Sequence, residues 1–194
     1  MSARLVALTV AVVATTLAGC AAREPVLMSA QYQPTTTSGQ PATPHRRAAA
    51  VCAVRIVQVR DQRTDPGSLG ETGTQPVRTE NSGEWIRSGL RSLDGASGLK
   101  FIDQPQADGA ELVMTIDLLK AYAMNVNTNR IVSVVIRVHY SRRGAPIDER
   151  IYRGAETGVN WSAGAEETRD ALNRALGQLL DPVRQDILSR CAAG

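Results

Sequence analysis

Aromatic residues make up only 4% of the 194-residue chain: one Phe, two Trp and four Tyr. A platform that stacks bases or sugar rings has little material here. The charge excess is small as well, 22 basic against 19 acidic residues, and gives no clustered basic face for nucleic acid. Histidine occurs only at His45 and His139, and the three cysteines lack the spacing of zinc ligands. There is no Gly-x-Ser-x-Gly elbow, no phosphate-cradling Gly-Lys-Ser/Thr loop and no His-Glu-x-x-His helix. The reading is a protein that is not an enzyme and that needs neither metal nor cofactor.

Long hydrophobic runs are also missing. The one apolar run, Leu5 to Leu17, is too short for a stable bilayer-spanning helix. It follows Arg4 and ends in Leu17-Ala18-Gly19-Cys20, which has the layout of an export signal and resembles the lipobox of bacterial lipoproteins. Residues 1–19 are therefore expected to be a signal peptide and Cys20 the lipidated first residue of the mature chain. Losing Arg4 with the signal lowers the net charge from +3 to +2.

Residues 20–50 are rich in Pro, Thr, Ser, Gln and Ala and carry neither helical nor strand periodicity. They read as the lipidated end and a disordered tether, with a root-mean-square reach of about 30 Å. His45-Arg46-Arg47 within it reads as a solvated charge cluster. The globular domain is assigned to residues 51–194. Cys20 being lipidated leaves Cys52 and Cys191, near the two ends of that domain, in an oxidising setting that favours pairing. A bridge between them would stabilise by about 5 kcal/mol in the disputed chain-entropy model.

Val51–Arg60 is β-branched and predicts a strand. Asp61–Glu80 carries Pro66, Pro76, Gly67, Gly70 and Gly73 and reads as a long loop. Asn81 with Glu84 forms a capping box for a short helix to Leu93, whose apolar face holds Ile86, Leu90 and Leu93. Leu99–Asp103 is a brief strand. Leu112, Met114, Ile116 and Leu118 alternate with more polar residues, and Val132, Val134, Ile136, Val138 and Tyr140 do the same after a turn at 125–129. Arg142 to Pro146 makes the next turn, and Ile147–Thr157 returns with Ile147 and Ile151 as its apolar positions. Even positions of one strand are then expected opposite odd positions of the other. Leu172, Leu176, Leu179, Val183 and Ile187 mark an amphipathic helix over 165–190, with Pro182 either kinking it or starting a second helix. The order predicts an α+β two-layer sandwich: a mostly antiparallel sheet packed by the short helix and the long C-terminal one.

Two features rise above scaffold. Asp61-Gln62-Arg63 opens the long loop, where Arg63 either contacts an anion or, with Asp61, fixes the loop by local hydrogen bonds. Arg130, Arg137, Arg142, Arg143, Arg150 and Arg153 cluster on the last hairpin and either face anionic lipid or an acidic partner, or form a solvated outer face. Asp61, Arg63, Arg137, Arg142, Arg143 and Arg150 form the candidate interaction surface. His139 reads as a solvated strand residue, and Asp148-Glu149 and Glu166-Glu167 as solubility charges.

The opening strand ending in Asp-x-Arg (Val57 to Arg63), Gly70 with the short helix, and the Ala110-Glu111-Leu112 to Ile116 strand resemble the YajG family of bacterial lipoproteins. So do the long hairpin and the closing helix. The match covers about Cys52 to Arg190. The resemblance implies an outer-membrane lipoprotein on the periplasmic face of a Gram-negative envelope, without an assigned activity. Ala21 after Cys20, in place of the Asp that retains lipoproteins on the inner membrane, agrees with it. Similar lipoproteins serve as auxiliary subunits of envelope lipid or polysaccharide transport machines. The expected function is a lipid-anchored interaction or accessory subunit with an envelope protein partner. The alternative is a module binding lipid or glycolipid, with acyl chains held between helices and sheet.

Overall fold

The computed structural model describes residues 24–34, 52–73, 75–95, 98–107, 109–159 and 164–193. The signal peptide, Cys20 and most of the proposed tether lie outside them. Among the described residues the fold is α+β: one mixed eight-stranded sheet covered on one face by two helices.

The strands are β1 (Val26–Met28), β2 (Cys52–Asp61), β3 (Ser68–Thr72), β4 (Gln75–Thr79), β5 (Leu99–Phe101), β6 (Leu112–Val126), β7 (Asn129–Arg142) and β8 (Ala145–Val159). Helix α1 spans Ser82–Arg91 and α2 spans Ala165–Ala192. The long β6 organises the sheet. Along one edge it pairs antiparallel with β7 for its whole length, and β7 pairs antiparallel with β8. Its other edge takes β2 along the first half and β3 further on, both parallel. Chain travelling from β2 to β3 thus continues along one side of β6, leaving it between Asp61 and Ser68.

Local chemistry explains most elements. Asn81 caps α1 by accepting from the Glu84 backbone N–H at 2.8 Å. Leu112, Met114, Ile116 and Leu118 all face the core. A bulge between Leu118 and Lys120 then exchanges the faces, so that Ala121 and Ala123 continue the buried side. The predicted stripe of α2, Leu172 to Ile187, is fully buried. Pro182 neither ends α2 nor starts another helix. Pro182 and Gln178 are both exposed, so water can reach the carbonyl that the proline leaves without its N–H.

Three expectations need correction. First, the loop over 61–80 contains the β3–β4 hairpin. Gly70 adopts φ +90°, and a Cβ there would lie 2.3 Å from the Ala123 carbonyl oxygen on β6. Glycine is read locally as a loop residue but here permits close strand pairing. Second, part of the supposed tether is folded. Val26 and Met28 are 1% and 7% exposed in β1, which extends the sheet parallel to β4. Tyr32 follows, its backbone N–H donating to Ser88 Oγ of α1 at 3.1 Å.

Third, the β7–β8 register pairs even with even positions, as in Ile136 with Tyr152. The two-residue turn Arg143-Gly144 has φ of +51° and +76°, the left-handed pair of a type I′ hairpin. It sets Arg142 opposite Ala145 and Ser141 opposite Pro146, as the sequence led one to expect. A bulge just beyond, with Tyr140 opposite Asp148, inserts one residue and reverses the parity. Ile147 and Ile151 consequently point outward, 46% and 60% exposed, while Tyr152 and Gly154 face α2.

The helices lie in direct contact with the sheet. A Cβ on Gly154 would fall 1.7 Å from the Ala175 carbonyl oxygen of α2, and, between the two helices, one on Gly89 of α1 would meet Leu176 Cδ2 of α2 at 2.8 Å. Trp85 Nε1 donates to Asn173 Oδ1 at 2.9 Å, satisfying two buried groups where α1 meets α2. At the far end, Cys52 and Cys191 are bridged with their Cα atoms 5.8 Å apart, closing a sequence separation of 139 residues. Gly154→Ala forces backbone apart and is expected to destabilise by about 3 kcal/mol or more. Gly67→Ala, whose Cβ would meet only Asp65 Oδ1 at 3.6 Å, should stay within about 0.5 kcal/mol of the parent. Urea denaturation of the two variants checks this contrast.

Candidate functional site

Asp61 ends β2, and the chain turns so that Arg63 folds back on it. Arg63 Nε donates to Asp61 Oδ1 at 2.9 Å and Nη2 to Asp61 Oδ2 at 2.6 Å. The remaining guanidinium N–H groups reach the backbone carbonyls of Pro66, Ser68 and Ala121. Ser82 Oγ of α1 also donates to Asp61. All five donors of Arg63 are thereby engaged, and its side chain is only 7% exposed. The reading of Arg63 as an anionic contact gives way to local loop fixing: the pair holds the β2–β3 crossover against β6. Burial opposes charge on Asp61, but hydrogen bonds from Arg63 and Ser82 prevail and hold its carboxyl below the ordinary carboxylate range. A surface hollow of about 410 Å³ opens beside this loop, lined by Arg63, Thr64, Asp65, Lys120 and Tyr122 among others.

The hairpin arginines do not form one surface. Arg130 is buried and pairs with Glu167 at 2.9 Å, tying β7 to the first turn of α2. Arg142 Nη2 donates to the Arg190 carbonyl at 3.1 Å, satisfying a C-terminal carbonyl of α2. Arg150 pairs with Asp148 at 3.1 Å on an exposed stretch, and Arg143 sits at the hairpin tip. Arg137 lies on the opposite, outer face of the sheet, 3.9 Å from Glu149. The even positions of the strands turn toward α2 and the odd ones away, which divides the set. Of the candidate residues, Asp61, Arg63 and Arg142 are structural ties.

The outer face holds an arrangement the sequence reading passed over. Asp117 lies in mid-β6, 1% exposed. Its Oδ1 accepts from Arg60 Nε at 2.6 Å and its Oδ2 lies 2.9 Å from His139 Nε2. The other ring nitrogen of His139 is 3.2 Å from Glu149 Oε2. His139 is therefore held between two carboxylates and is not a merely solvated side chain. Glu149 takes part in this chain of polar contacts instead of serving only solubility. Burial again opposes the charge of Asp117, and hydrogen bonds from His139 and Arg60 outweigh it, depressing the pKa. The signal was a lone carboxylate in an apolar strand. Among the described residues no three His, Cys, Asp or Glu are placed to hold a metal ion.

A second polar cluster sits under the end of α2. Tyr140 and Tyr152 share a 2.7 Å hydroxyl hydrogen bond, and Tyr152 donates to Asp186. Arg190 lies 4.1 Å over the Tyr140 ring and pairs with Asp148 at 2.8 Å. Burial pushes the Tyr140 phenol up to about 12 and raises Tyr152 also, so both stay neutral donors. Asp148 therefore helps to fasten the helix to β8.

No family model matches the sequence, and no curated protein matches it. Solved structures do resemble it. A Xanthomonas campestris protein of the DUF330 family superposes with a TM-score of 0.54 at 10% identity, covering 75% of this chain and 89% of that one. A minor lipoprotein from Acinetobacter baumannii gives 0.42 at 12% identity, over 70% and 92% of the two chains. Lipoprotein GNA1162 from Neisseria meningitidis gives 0.39 at 11%, over 71% and 99%. The first likeness shows a shared fold; the other two are too loose to carry an argument. The YajG resemblance gains no sequence match from these comparisons, while the α+β fold expected from the order of elements is the one found.

Asp61 and Asp117 share a pH signature. A depressed folded pKa contributes stability that is complete above the unfolded value and lost as pH falls through the folded one. The urea midpoint is expected to fall steeply below about pH 4, and Asp117→Asn should flatten part of that slope. Arg63→Ala, which leaves Asp61 without its main partner, should cost about 3 kcal/mol. An unchanged midpoint in Arg63→Ala at pH 7 would contradict the structural role given to the pair.

Proposed function

We propose that the chain is a lipid-anchored protein of the bacterial envelope, held on the periplasmic face of the outer membrane, that works through protein contacts as an interaction or accessory subunit. The observation that carries this reading is the Cys52–Cys191 bridge joining the first long strand to the last turn of α2. Such a bridge suits an oxidising, exported compartment and agrees with the export signal ending at Cys20. The anchoring geometry supports the same reading. With the lipid on Cys20 and Val26 already in the sheet, six residues span at most about 20 Å. The domain then sits close against the membrane, not at the end of a 30 Å tether.

The non-catalytic half of the proposal draws on where the polar groups go. Asp61, Arg63, Arg130, Arg142, Asp148 and Asp186 are used to fasten strands and helices together. The lipid-handling alternative relied on room between the layers. The close approach of the Ala175 carbonyl to Gly154 leaves no such room where α2 crosses β8, which favours the protein-contact reading.

In-cell crosslinking of the anchored protein, followed by mass spectrometry of what it captures, tests the proposal. A Cys20→Ala form, exported without lipid, is the control. One reproducible envelope partner, captured with the anchor and lost without it, is the expected result. A co-purified lipid with no protein partner would turn the reading to lipid handling.

A further inference from the structure

β8 runs for fifteen residues at the edge of the sheet, with β7 on one side and, among the described residues, no strand on the other. Its odd positions carry the outward backbone groups. The Glu149 N–H bonds to Asp148 Oδ1 at 2.7 Å, and the Ala155 N–H to Gln178 Oε1 at 3.2 Å, so neither serves the β7 ladder. Gln178 of α2 closes the edge at Ala155; from Ile147 to Arg153 the edge backbone meets no other element among the described residues, and the Glu149 N–H there is held only by its neighbour Asp148, a contact that pairing would exchange. Natural sheets blunt such edges with charges, Pro or bulges, and β8 carries Pro146 and its bulge only at the hairpin end, before Asp148. This edge presents Ile147, Glu149, Ile151 and Arg153 in alternation, two apolar residues and two opposite charges.

That pattern is complementary to itself. Two β8 strands paired antiparallel about Ile151 place Ile151 against its own copy and Glu149 against Arg153 of the other chain, on both sides of the axis. The three outward-facing pairs would exchange about six backbone hydrogen bonds. Neighbouring registers are worse. A two-fold at residue 150 sets Arg150 against Arg150, at 149 it sets Glu149 against Glu149, and at 153 Arg153 against Arg153. Arg153 makes no ion pair among the described residues, and Glu149 is 58% exposed at its side chain. Opposite charges placed across a strand pair stabilise it, whereas like charges oppose it.

We propose that a second copy of this chain docks on β8, joining the two sheets across a two-fold axis at Ile151 with reciprocal Glu149–Arg153 pairs. Two faces of one kind meeting about a two-fold form a closed interface, which ends at the dimer.

The full chain, made in cells and solubilised in detergent, tests this with Ile151→Cys and a short bis-maleimide. A dimer-sized product is expected from Ile151→Cys and none from Thr128→Cys, at the far β6–β7 turn. Equal or absent crosslinking at the two positions would overturn the proposal. Charge variants read the register. Arg153→Glu alone and Glu149→Lys alone should each weaken self-association by about ten-fold or more. Differently tagged Arg153→Glu and Glu149→Lys chains, once mixed, should pair with each other, because both cross-axis pairs are then of opposite sign. A misfolded variant could not recover in that way. Variants that self-associate as the parent does, or that fail to pair when mixed, would reject the interface.

Discussion

The contact between α2 and the sheet is the constraint on which the other features depend. Backbone meets backbone where Ala175 passes Gly154, so no side chain separates the layers there. The approach lets the buried stripe from Leu172 to Ile187 lie on β6, β7 and β8. Peripheral groups then fasten that sandwich: Arg130 with Glu167 at one end of the helix, and at the other Arg142 with the Arg190 carbonyl and Arg190 with Asp148. The disulfide at Cys191 joins the end of the helix to the start of β2.

The same closeness decides which groups are left facing outward. At Gly154 the layers touch backbone to backbone, and the charged residues nearest the helix are engaged with each other. What remains is the outer face of the sheet and the open edge of β8, which display Arg137, Glu149, Ile151 and Arg153 outward. The buried Asp117, held by Arg60 and His139, fixes β2, β6 and β7 beneath that face. Its neighbour Glu149 links this chain of polar contacts to the edge.

Elements written in short-range periodicity were legible in the sequence. The Asn81–Glu84 cap, the alternation from Leu112 to Leu118 and the stripe of α2 each depend on residues a few positions apart. What escaped depends on distant partners. β1 is three residues long and acquires meaning only beside β4. Gly70 reads as a breaker until Ala123 is seen against it. The β7–β8 parity turned on a single bulge after Pro146, which sent Ile147 and Ile151 outward. In the candidate site, Arg63 lay in a recognisable Asp-x-Arg, but its distant partners Ser68 and Ala121 were not legible. Asp117 reads in the sequence only as one polar position of an alternating strand, because its partners are 57 and 22 residues away.

The account's central claim is that this domain is exported, anchored at Cys20 and closed by one internal bridge. Intact-mass measurement of the protein extracted from cell membranes without reductant addresses all three at once. The predicted species lacks residues 1–19, carries acyl chains on Cys20 and is two hydrogens lighter than its reduced form. A full-length or unacylated chain with free thiols at Cys52 and Cys191 would contradict the account.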